Sequence, residues 1–234
     1  TQVERVLTTK DIAINLTLCK KDWISSWEGA SMRSRLAGDL PASLTDFILK
    51  YVAENVGQQV ESNIWAGDSA NTGEWDGFQI LESYTAYGTD VTTPELMVTG
   101  LTELVEDGVT DGMYGHEDLT IFMSTGALKY YLDRMGTLGY ANQYYASDVP
   151  LQFNGIKIAH APGQGSDDAS EKYRISVSRK SNLFFGTTIL SDLNEVRLID
   201  MADVDGSDSF HVVMRMTAGC QIGVLADFLG LKNA

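Results

Sequence analysis

Strict alternation of apolar and polar residues marks the first regular element of the chain. The apolar side chains that share one face of this run are Ile12, Ile14, Leu16 and Leu18. A period of two predicts a half-buried β-strand. Trp23 and Trp27, four residues apart, then predict a short helix over residues 22–32, followed by a loop over residues 33–39.

A second pattern, with steps of three and four residues, predicts one long helix over residues 42–65. Its apolar stripe covers about six turns and consists of Leu44, Phe47, Ile48, Tyr51, Val52, Val56, Val60 and Ile64. Ser43 followed by Asp46 resembles a capping pair at the start of the helix, and Gly67 follows its end. At ~1.5 Å per residue the helix would span roughly 35 Å, which is long for a small domain.

Three further elements are predicted in the middle of the chain: a helix over residues 93–108, a strand over 119–123 and a helix over 124–136. Thr93 and Ser124 are the expected N-caps, because their hydroxyls can accept hydrogen bonds from the first turn. Pro94 suits the first helical position, and Gly136 is the expected end of the last helix. The polar stretches 67–77 and 163–170 are predicted to be loops.

The rest of the chain favours β-structure. Asn154-Gly155, between two apolar runs, predicts a tight hairpin, and residues 173–177 predict another strand. Residues 195–201 and 210–217 predict an antiparallel pair joined by the polar loop 202–209. The order of strand, long helix, mixed block and β-rich return indicates an α+β protein with two discontinuous subdomains.

Composition restricts the possible functions. The 234 residues are 44% hydrophobic and 21% charged, which suffices for a globular core in one large or two small domains. The net charge of −15 argues against a protein that binds nucleic acid by neutralising phosphates. The modest basic clusters are expected to be solvated surface charge: Lys20-Lys21, Arg33 with Arg35, and Arg179-Lys180. No apolar run is long enough for a membrane-spanning helix.

The chain opens at Thr1 without an initiator Met and without a basic-then-apolar leader, so we expect a processed or excised chain. Cys19 and Cys220 are far apart and lack the spacing of metal ligands. We expect both to be buried free thiols in a reducing cytoplasm, and the sequence leaves a disulfide open.

Few residues offer catalytic chemistry. The three histidines, His116, His160 and His211, lack metal-ligand spacing and are expected to be surface or capping groups. There is no Gly-x-Ser-x-Gly nucleophile elbow. Gly163-Gln164-Gly165 lacks the third glycine and the following helix of a phosphate cradle, so it is predicted to be a flexible loop. We expect no catalytic residue, no cofactor and no resident metal, and no enzymatic activity.

The sharpest chemical candidate is the acidic loop Asp200–Asp208. Closely spaced carboxylates before a glycine turn can wrap a calcium ion, but the bidentate Glu of such a loop is missing where the strand at Phe210 begins. A turn between two strands is therefore favoured. The same interpretation covers the carboxylates of the earlier loop, Asp68, Glu74 and Asp76. Trp75, in that polar loop, is expected to make an intersubunit contact, with a core position as the alternative.

Two stretches resemble one known family. The first runs through Ser181-Asn182-Leu183-Phe184-Phe185-Gly186-Thr187-Thr188-Ile189-Leu190-Ser191-Asp192 and on to Gly223. The second comprises Glu4-Arg5-Val6-Leu7, the run from Leu16 to Trp23, Leu40-Pro41, and Asn63-Ile64-Trp65-Ala66-Gly67-Asp68. In this order they resemble tailed-bacteriophage major capsid proteins, which share the Hong Kong 97 (HK97)-like capsid fold.

The resemblance implies an α+β subunit with a long spine helix, a peripheral domain and an axial domain. Residues 1–78 would form the peripheral domain, with the end of an extended loop and the spine helix over 42–65. Residues 79–180 would form the axial domain, and residues 181–234 would return to the peripheral domain. We expect the chain to start too late to include the N-terminal arm of the family.

The resemblance also implies a structural function. The chain would be a major capsid protein that self-assembles into hexamers and pentamers of an icosahedral phage head enclosing packaged DNA. Its partners would be copies of itself, with portal, scaffold and decoration proteins, and neither a membrane nor a specific nucleic-acid sequence. It would be located in the virion capsid, after assembly in the bacterial host cytoplasm. Two alternatives stay open: an encapsulin-type shell, and an acidic α+β metal-binding module or enzyme that uses the Asp200–Asp208 loop.

Overall fold

The computed structural model describes residues 4–19, 22, 44–81, 91–139, 151–165, 172–188, 196–204 and 206–231. In chain order its main elements are β1 (Lys10–Cys19), α1 (Leu44–Ala66), α2 (Phe78–Leu81), α3 (Pro94–Glu103), β2 (Leu119–Met123), α4 (Thr125–Thr137), β3 (Gln152–Phe153), β4 (Ile156–His160), β5 (Ile175–Arg179), β6 (Leu183–Gly186), β7 (Val196–Asp200), β8 (Ser209–Ile222) and β9 (Phe228–Leu231). The expected Trp23–Trp27 helix and the Ser43 cap lie outside the described residues.

The chain divides into two compact units. Unit 1 comprises Thr1–Thr8, Glu61–Gly186 and Gly219–Ala234, and unit 2 comprises Thr9–Val60 and Thr187–Ala218. These limits differ from the expected domain limits at 78 and 180. The chain crosses from one unit to the other after Thr8, within α1, after Gly186 at the end of β6, and within β8.

Unit 1 is built on a mixed five-stranded sheet in the order β3-β4-β2-β5-β9. The β4 and β2 strands run parallel, and the other neighbouring strands run antiparallel. Leu119, Ile121 and Met123 of the central strand β2 are buried, as the predicted apolar run requires. Their core continues into α3, the turn that follows it, and α4 through Met97, Leu101, Leu104, Ala127, Tyr131 and Met135.

The helices of unit 1 begin at the predicted caps. Thr93 Oγ1 accepts a hydrogen bond from Leu96 N at 3.4 Å, and Ser124 Oγ accepts one from Ala127 N at 3.2 Å. Each hydroxyl satisfies a backbone donor that has no partner inside its own helix. Pro94 occupies the first turn of α3, as expected.

The ends of the two helices differ from the prediction. The predicted single helix over 93–108 changes at Leu104 into a π-helical turn, Leu104–Gly108. The second helix, α4, continues past Gly136 to Thr137, because Leu138 N still donates to Arg134 O at 3.0 Å. The left-handed residue that follows is Gly139, with φ +88°.

The predicted hairpin is present in unit 1. Asn154 and Gly155 have φ values of 46° and 79°, which a two-residue turn of type I′ requires, and they connect β3 to β4. The strand β5 begins at Ile175, two residues later than predicted. Residues 172–174 are engaged elsewhere, because the carbonyl oxygens of Lys172 and Arg174 accept hydrogen bonds from Ser124.

Unit 2 confirms the predicted antiparallel pair and extends it. β7 pairs with β8 from Val196↔Met214 to Asp200↔Phe210. β1 pairs along the opposite edge of β8, from Lys10↔Ala218 to Cys19↔Ser209. A core cluster of Ile48, Val52, Phe210 and Val212 joins α1 to this sheet, with Leu18, Val56, Val196 and Leu198 packed around it. The first half of the α1 stripe thus covers the strands that the sequence indicated.

The apolar stripes of α1 and β1 are less completely buried than predicted. Tyr51 of the α1 stripe is 50% exposed, and Leu16 of β1 is 39% exposed. In the last turn of α1, the buried side chains are Asn63 and Trp65, whereas Ile64 is only half-buried. The last turn of α1 buries Trp65 because its ring packs against the rings of Phe78 and Phe122 in unit 1, with ring centroids 5.5 and 5.0 Å apart.

Candidate functional site

The acidic loop after β7 is a turn held by its own hydrogen bonds. Asp200 Oδ1 accepts from Ala202 N at 2.9 Å, and Val204 N and Gly206 N both donate to Met201 O at 3.1 Å. Gly206 has φ +76°, a left-handed conformation that glycine adopts without strain. The loop therefore reverses the chain between β7 and β8. Asp205 lies outside the described residues.

The earlier acidic loop, residues 67–77, uses its carboxylates in the same way. Glu74 Oε2 accepts from Asp68 N at 3.0 Å, and Asp76 Oδ1 accepts from Ser69 N at 2.9 Å. Asp68 Oδ1 accepts from Ala70 N at 2.8 Å. Since these oxygens satisfy backbone donors, the three carboxylates stabilise the loop. Within the described residues, no group of three or more His, Cys, Asp or Glu side chains could hold a metal ion.

Trp75 is buried in unit 1, which contradicts the expected intersubunit contact. Its side chain is only 1% exposed, and its ring lies 6.3 Å from that of Phe185. Its Nε1–H donates to Cys220 Sγ at 3.3 Å. A polar loop can present a buried tryptophan because its backbone groups are satisfied by the carboxylates on either side of it.

The two cysteines differ in their surroundings. Cys220 is buried, and burial raises the pKa of its thiol to about 11, although the hydrogen bond from Trp75 opposes the shift. Cys19, which was also expected to be buried, is exposed near the end of β1. Both are free thiols.

The three histidines occupy separate places. His160 Nε2 lies 3.0 Å from Thr125 Oγ1, and His211 Nε2 lies 3.4 Å from Thr17 Oγ1. The backbone of His116 takes part in the turn before β2, where its N–H donates to Met113 O at 3.3 Å. His116 and His160 are exposed, and His211 is half-buried.

Gly163-Gln164-Gly165 forms part of the core of unit 1, which corrects the expected flexible loop. Residues Pro162–Gln164 form a 3₁₀ turn in which Gly163 and Gln164 are buried. A Cβ at Gly163 would lie 2.3 Å from Glu61 O, so the turn packs directly against the α1 backbone. The side chain of Gln164 donates through Nε2 to Ser176 Oγ, and its backbone carbonyl oxygen accepts from Gln79 Nε2 at 2.8 Å.

One basic cluster proves to be structural. Arg179 forms an ion pair with Asp227, and both side chains are half-buried. Arg179 therefore joins β5 to the turn before β9, while Lys180 is exposed as expected. The clusters at residues 20–21 and 33–35 lie outside the described residues.

The sequence did not predict the surface depressions of the two units. In unit 1, a depression of about 610 Å³ lies between the turn at residues 114–117 and the hairpin at 154–157, where Tyr114 OH donates to Asn154 O at 2.9 Å. In unit 2, a depression of about 280 Å³ is lined by Arg197, Ile199, Val213 and Arg215. The second could have been found in the sequence, because these residues occupy the alternate positions of β7 and β8.

No described helix is both long enough and apolar enough to cross a bilayer. The described residues thus bring together buried polar networks and structured turns rather than a set of catalytic groups around a pocket. What they leave on the surface is a patterned sheet face, an acidic turn and several exposed apolar side chains.

Comparison with solved structures identifies the fold. The chain is similar to a structure of Mycobacterium phage Che8, with 10% identity and a TM-score of 0.56 over 95% of this chain and 70% of that one. It is similar to the capsid of a native GTA particle, with 14% identity and a TM-score of 0.59 over 96% and 77% of the two chains.

A third similar structure is the holo-SrpI encapsulin complex from Synechococcus elongatus PCC 7942, with 10% identity and a TM-score of 0.55 over 98% and 74%. No protein-family model matches the sequence, and no curated protein matches it. The chain has the α+β HK97-like capsid fold that the sequence resemblance implied, with α1 as its long helix.

Proposed function

We propose that this chain is the major capsid protein of a tailed bacteriophage, a structural protein without catalytic function. The observation that carries the proposal is the similarity of nearly the whole chain to phage and GTA capsid subunits. The surface supports it, because exposed apolar side chains such as Phe184 and Phe185 are typical of proteins that bury surface on assembly. Copies of the chain would form hexamers and pentamers, and these would close an icosahedral head.

We further propose that the head encloses packaged DNA. The net charge of −15 supports a wall that repels phosphate and so lets DNA move inside the shell. Portal, scaffold and decoration proteins are proposed partners, and the virion capsid, assembled in the cytoplasm of a bacterial host, is the proposed location.

We assign unit 2, with most of α1, to the peripheral domain and unit 1 to the axial domain. The domain limits at 78 and 180 stay a proposal beside this assignment. It is supported by the order of elements, because unit 2 combines the long helix with long strands and unit 1 holds a mixed sheet with flanking helices.

An encapsulin-type shell is the second candidate, and the similarity to the SrpI encapsulin favours it. The two functions differ in what the shell contains. Particles purified from cells that produce the chain should be examined by negative-stain microscopy and then treated with nuclease. Heads that protect DNA support the phage capsid, and small uniform shells that contain protein support the encapsulin. Absence of any particle from concentrated protein would contradict both.

A further inference from the structure

The outer face of the unit 2 sheet carries two arginines around an apolar centre. Because Phe210, Val212, Met214 and Met216 of β8 are buried, the alternate residues point away from α1. Val213 and Arg215 are among these, and Arg197↔Val213 and Ile199↔His211 are register pairs. We define the arginine face as Arg197, Ile199, Val213 and Arg215, which together line the 280 Å³ depression.

The arginine face has the composition of a protein interface. Ile199 is 40% exposed and Arg215 is exposed, with no hydrogen bond or ion pair from Arg215 to another described residue. Asp11 lines a neighbouring depression with Arg215, yet the two do not form an ion pair. Arginines beside apolar side chains are enriched in interfaces, where the planar guanidinium pairs with carboxylates.

Unit 1 presents an acidic surface that complements this face. Residues 103–118 contain six carboxylates and neither Lys nor Arg. Glu106 and Asp107 lie on the π-helical turn, and both are exposed. Their neighbours Leu104, Val105 and Gly108 are buried, so the two carboxylates project from a base fixed in the core. We define the acidic turn as Glu106, Asp107 and the nearby exposed Asp111.

We infer that the arginine face of one copy binds the acidic turn of a second copy. The inference rests on the proposed function, since it names one contact between shell subunits. Charge complementarity selects the occupant, because the face is basic in a chain of net charge −15 and the acidic turn lies within residues 103–118, which contain neither Lys nor Arg. Nucleic acid fits less well, since two guanidinium groups around Ile199 and Val213 contact few phosphates.

The contact joins different surfaces on the two copies. A contact of this kind repeats from copy to copy and closes a ring when the rotation between copies allows it. It therefore suits the formation of a capsomer. It also predicts that assembly weakens as salt concentration rises, because exposed charges are screened over roughly 10 Å at 0.1 M salt.

Two charge-reversed variants of the full chain test the inference. The first is Arg197→Glu with Arg215→Glu, and the second is Glu106→Lys with Asp107→Lys. Each variant alone places like charges across the contact, so the protein concentration needed for assembly should rise about tenfold or more. A 1:1 mixture should assemble again, because each variant then meets opposite charge on the other. Sedimentation velocity measures both results.

Lys50→Glu with Lys129→Glu is the matched control for the first variant, since it lowers the net charge by the same amount at exposed positions that belong to neither the arginine face nor the acidic turn. Circular dichroism and thermal melting check that every variant is folded. If the wild type assembles and the first variant assembles equally well, the inference is overturned and the proposed function stands.

The 1:1 mixture of the two variants also shows which surface binds the arginine face. If the two variants fail separately and their mixture fails too, the acidic turn is not the partner of the arginine face, and the inference is overturned. If the first variant forms normal shells that no longer retain DNA, the face binds nucleic acid instead. If the wild type itself never assembles at low salt, the proposed function fails, whatever the variants do.

Discussion

At the scale of single residues, the thiol of Cys220 links the pH dependence of folding to the burial of one side chain. The Trp75 indole donates to the sulfur, and burial raises the pKa of the thiol from its ordinary value of 9.0 to about 11. The folded protein thus retains this proton at a pH where the unfolded chain has lost it.

The free energy of unfolding should consequently fall between about pH 9 and pH 11, by about 2–3 kcal/mol from this group. The contribution is fully present below pH 9 and is lost as the pH rises through the folded pKa. Denaturant titrations at several pH values should show a smaller decrease for Cys220→Ser, which keeps an acceptor for Trp75 without a titrating thiol. An equal decrease in wild type and variant would contradict the assignment.

Gly163 tests the close packing of the 3₁₀ turn on α1. A Cβ at this position would meet backbone atoms of Glu61 and Ser62 at 2.3–2.8 Å, so Gly163→Ala should destabilise unit 1 by about 1–3 kcal/mol. Gly57→Ala is the matched control, because Gly57 lies in α1 and a Cβ there would meet nothing within 4 Å. It should raise the free energy of unfolding by about 0.5–1 kcal/mol, since Ala has a higher helix propensity than Gly. Urea unfolding midpoints that shift in the same direction for Gly163→Ala and Gly57→Ala would contradict the close packing of the turn on α1.

Residue roles were predictable from sequence where they are local. The caps Thr93 and Ser124 and the Asn154-Gly155 turn depend on neighbours within four residues, and the structure confirms them. Trp75 and Arg179 were predicted wrongly, because their partners Cys220 and Asp227 are distant in the chain. Local polarity indicated a surface position, whereas a distant contact determines the burial.

At the scale of elements, the two ends of α1 pack against different parts of the protein. Ile48 and Val52 pack in the unit 2 core with Phe210 and Val212, whereas Trp65 packs on the aromatic rings of unit 1. The three- and four-residue spacing predicted the helix, but it could not show that the last turn buries Asn63 and Trp65. The burial of Asn63 depends on the loop at residues 67–77, because Asn63 Nδ2 donates to Gly73 O at 3.4 Å.

Val52→Asp should prevent folding of unit 2, because it places a carboxylate without a cation partner in the core. Val52 is 3% exposed, and an uncompensated buried charge costs about 3–5 kcal/mol. Ala53→Asp introduces the same charge at an exposed position of the same helix and should leave the protein folded and soluble. Soluble yield and circular dichroism measure the effect. A folded, assembling Val52→Asp protein would show that α1 does not cover β8.

The acidic loop between β7 and β8 gives a prediction about metal ions. Its described hydrogen bonds are those of a turn, so calcium should leave the melting midpoint unchanged relative to a chelator control. A site at 100 times its dissociation constant would add about 2.7 kcal/mol, which a melting curve detects. A rise of several degrees that Asp203→Ala with Asp205→Ala abolishes would establish a cation site instead.

At the scale of the whole molecule, the order of elements determined the fold class from sequence alone. Two of the limits between the compact units fall inside α1 and β8, where the hydrophobic pattern of the element continues across the limit, so that pattern could not indicate them. The alternation along β7 and β8 could have indicated the arginine face, whereas the contact that would join two copies depends on how the folded surfaces meet.

Self-assembly is the central prediction for the whole molecule, and sedimentation velocity of the wild-type chain tests it most directly. Measurements over a wide range of protein concentration at low salt should show ring-sized species, many times the 25.6 kDa mass of the chain, and larger particles at the highest concentrations. Microscopy of the fast-sedimenting fraction should show shells, sheets or isolated capsomers. A single monomeric species at every concentration, from protein that is folded by circular dichroism, would contradict the capsid function.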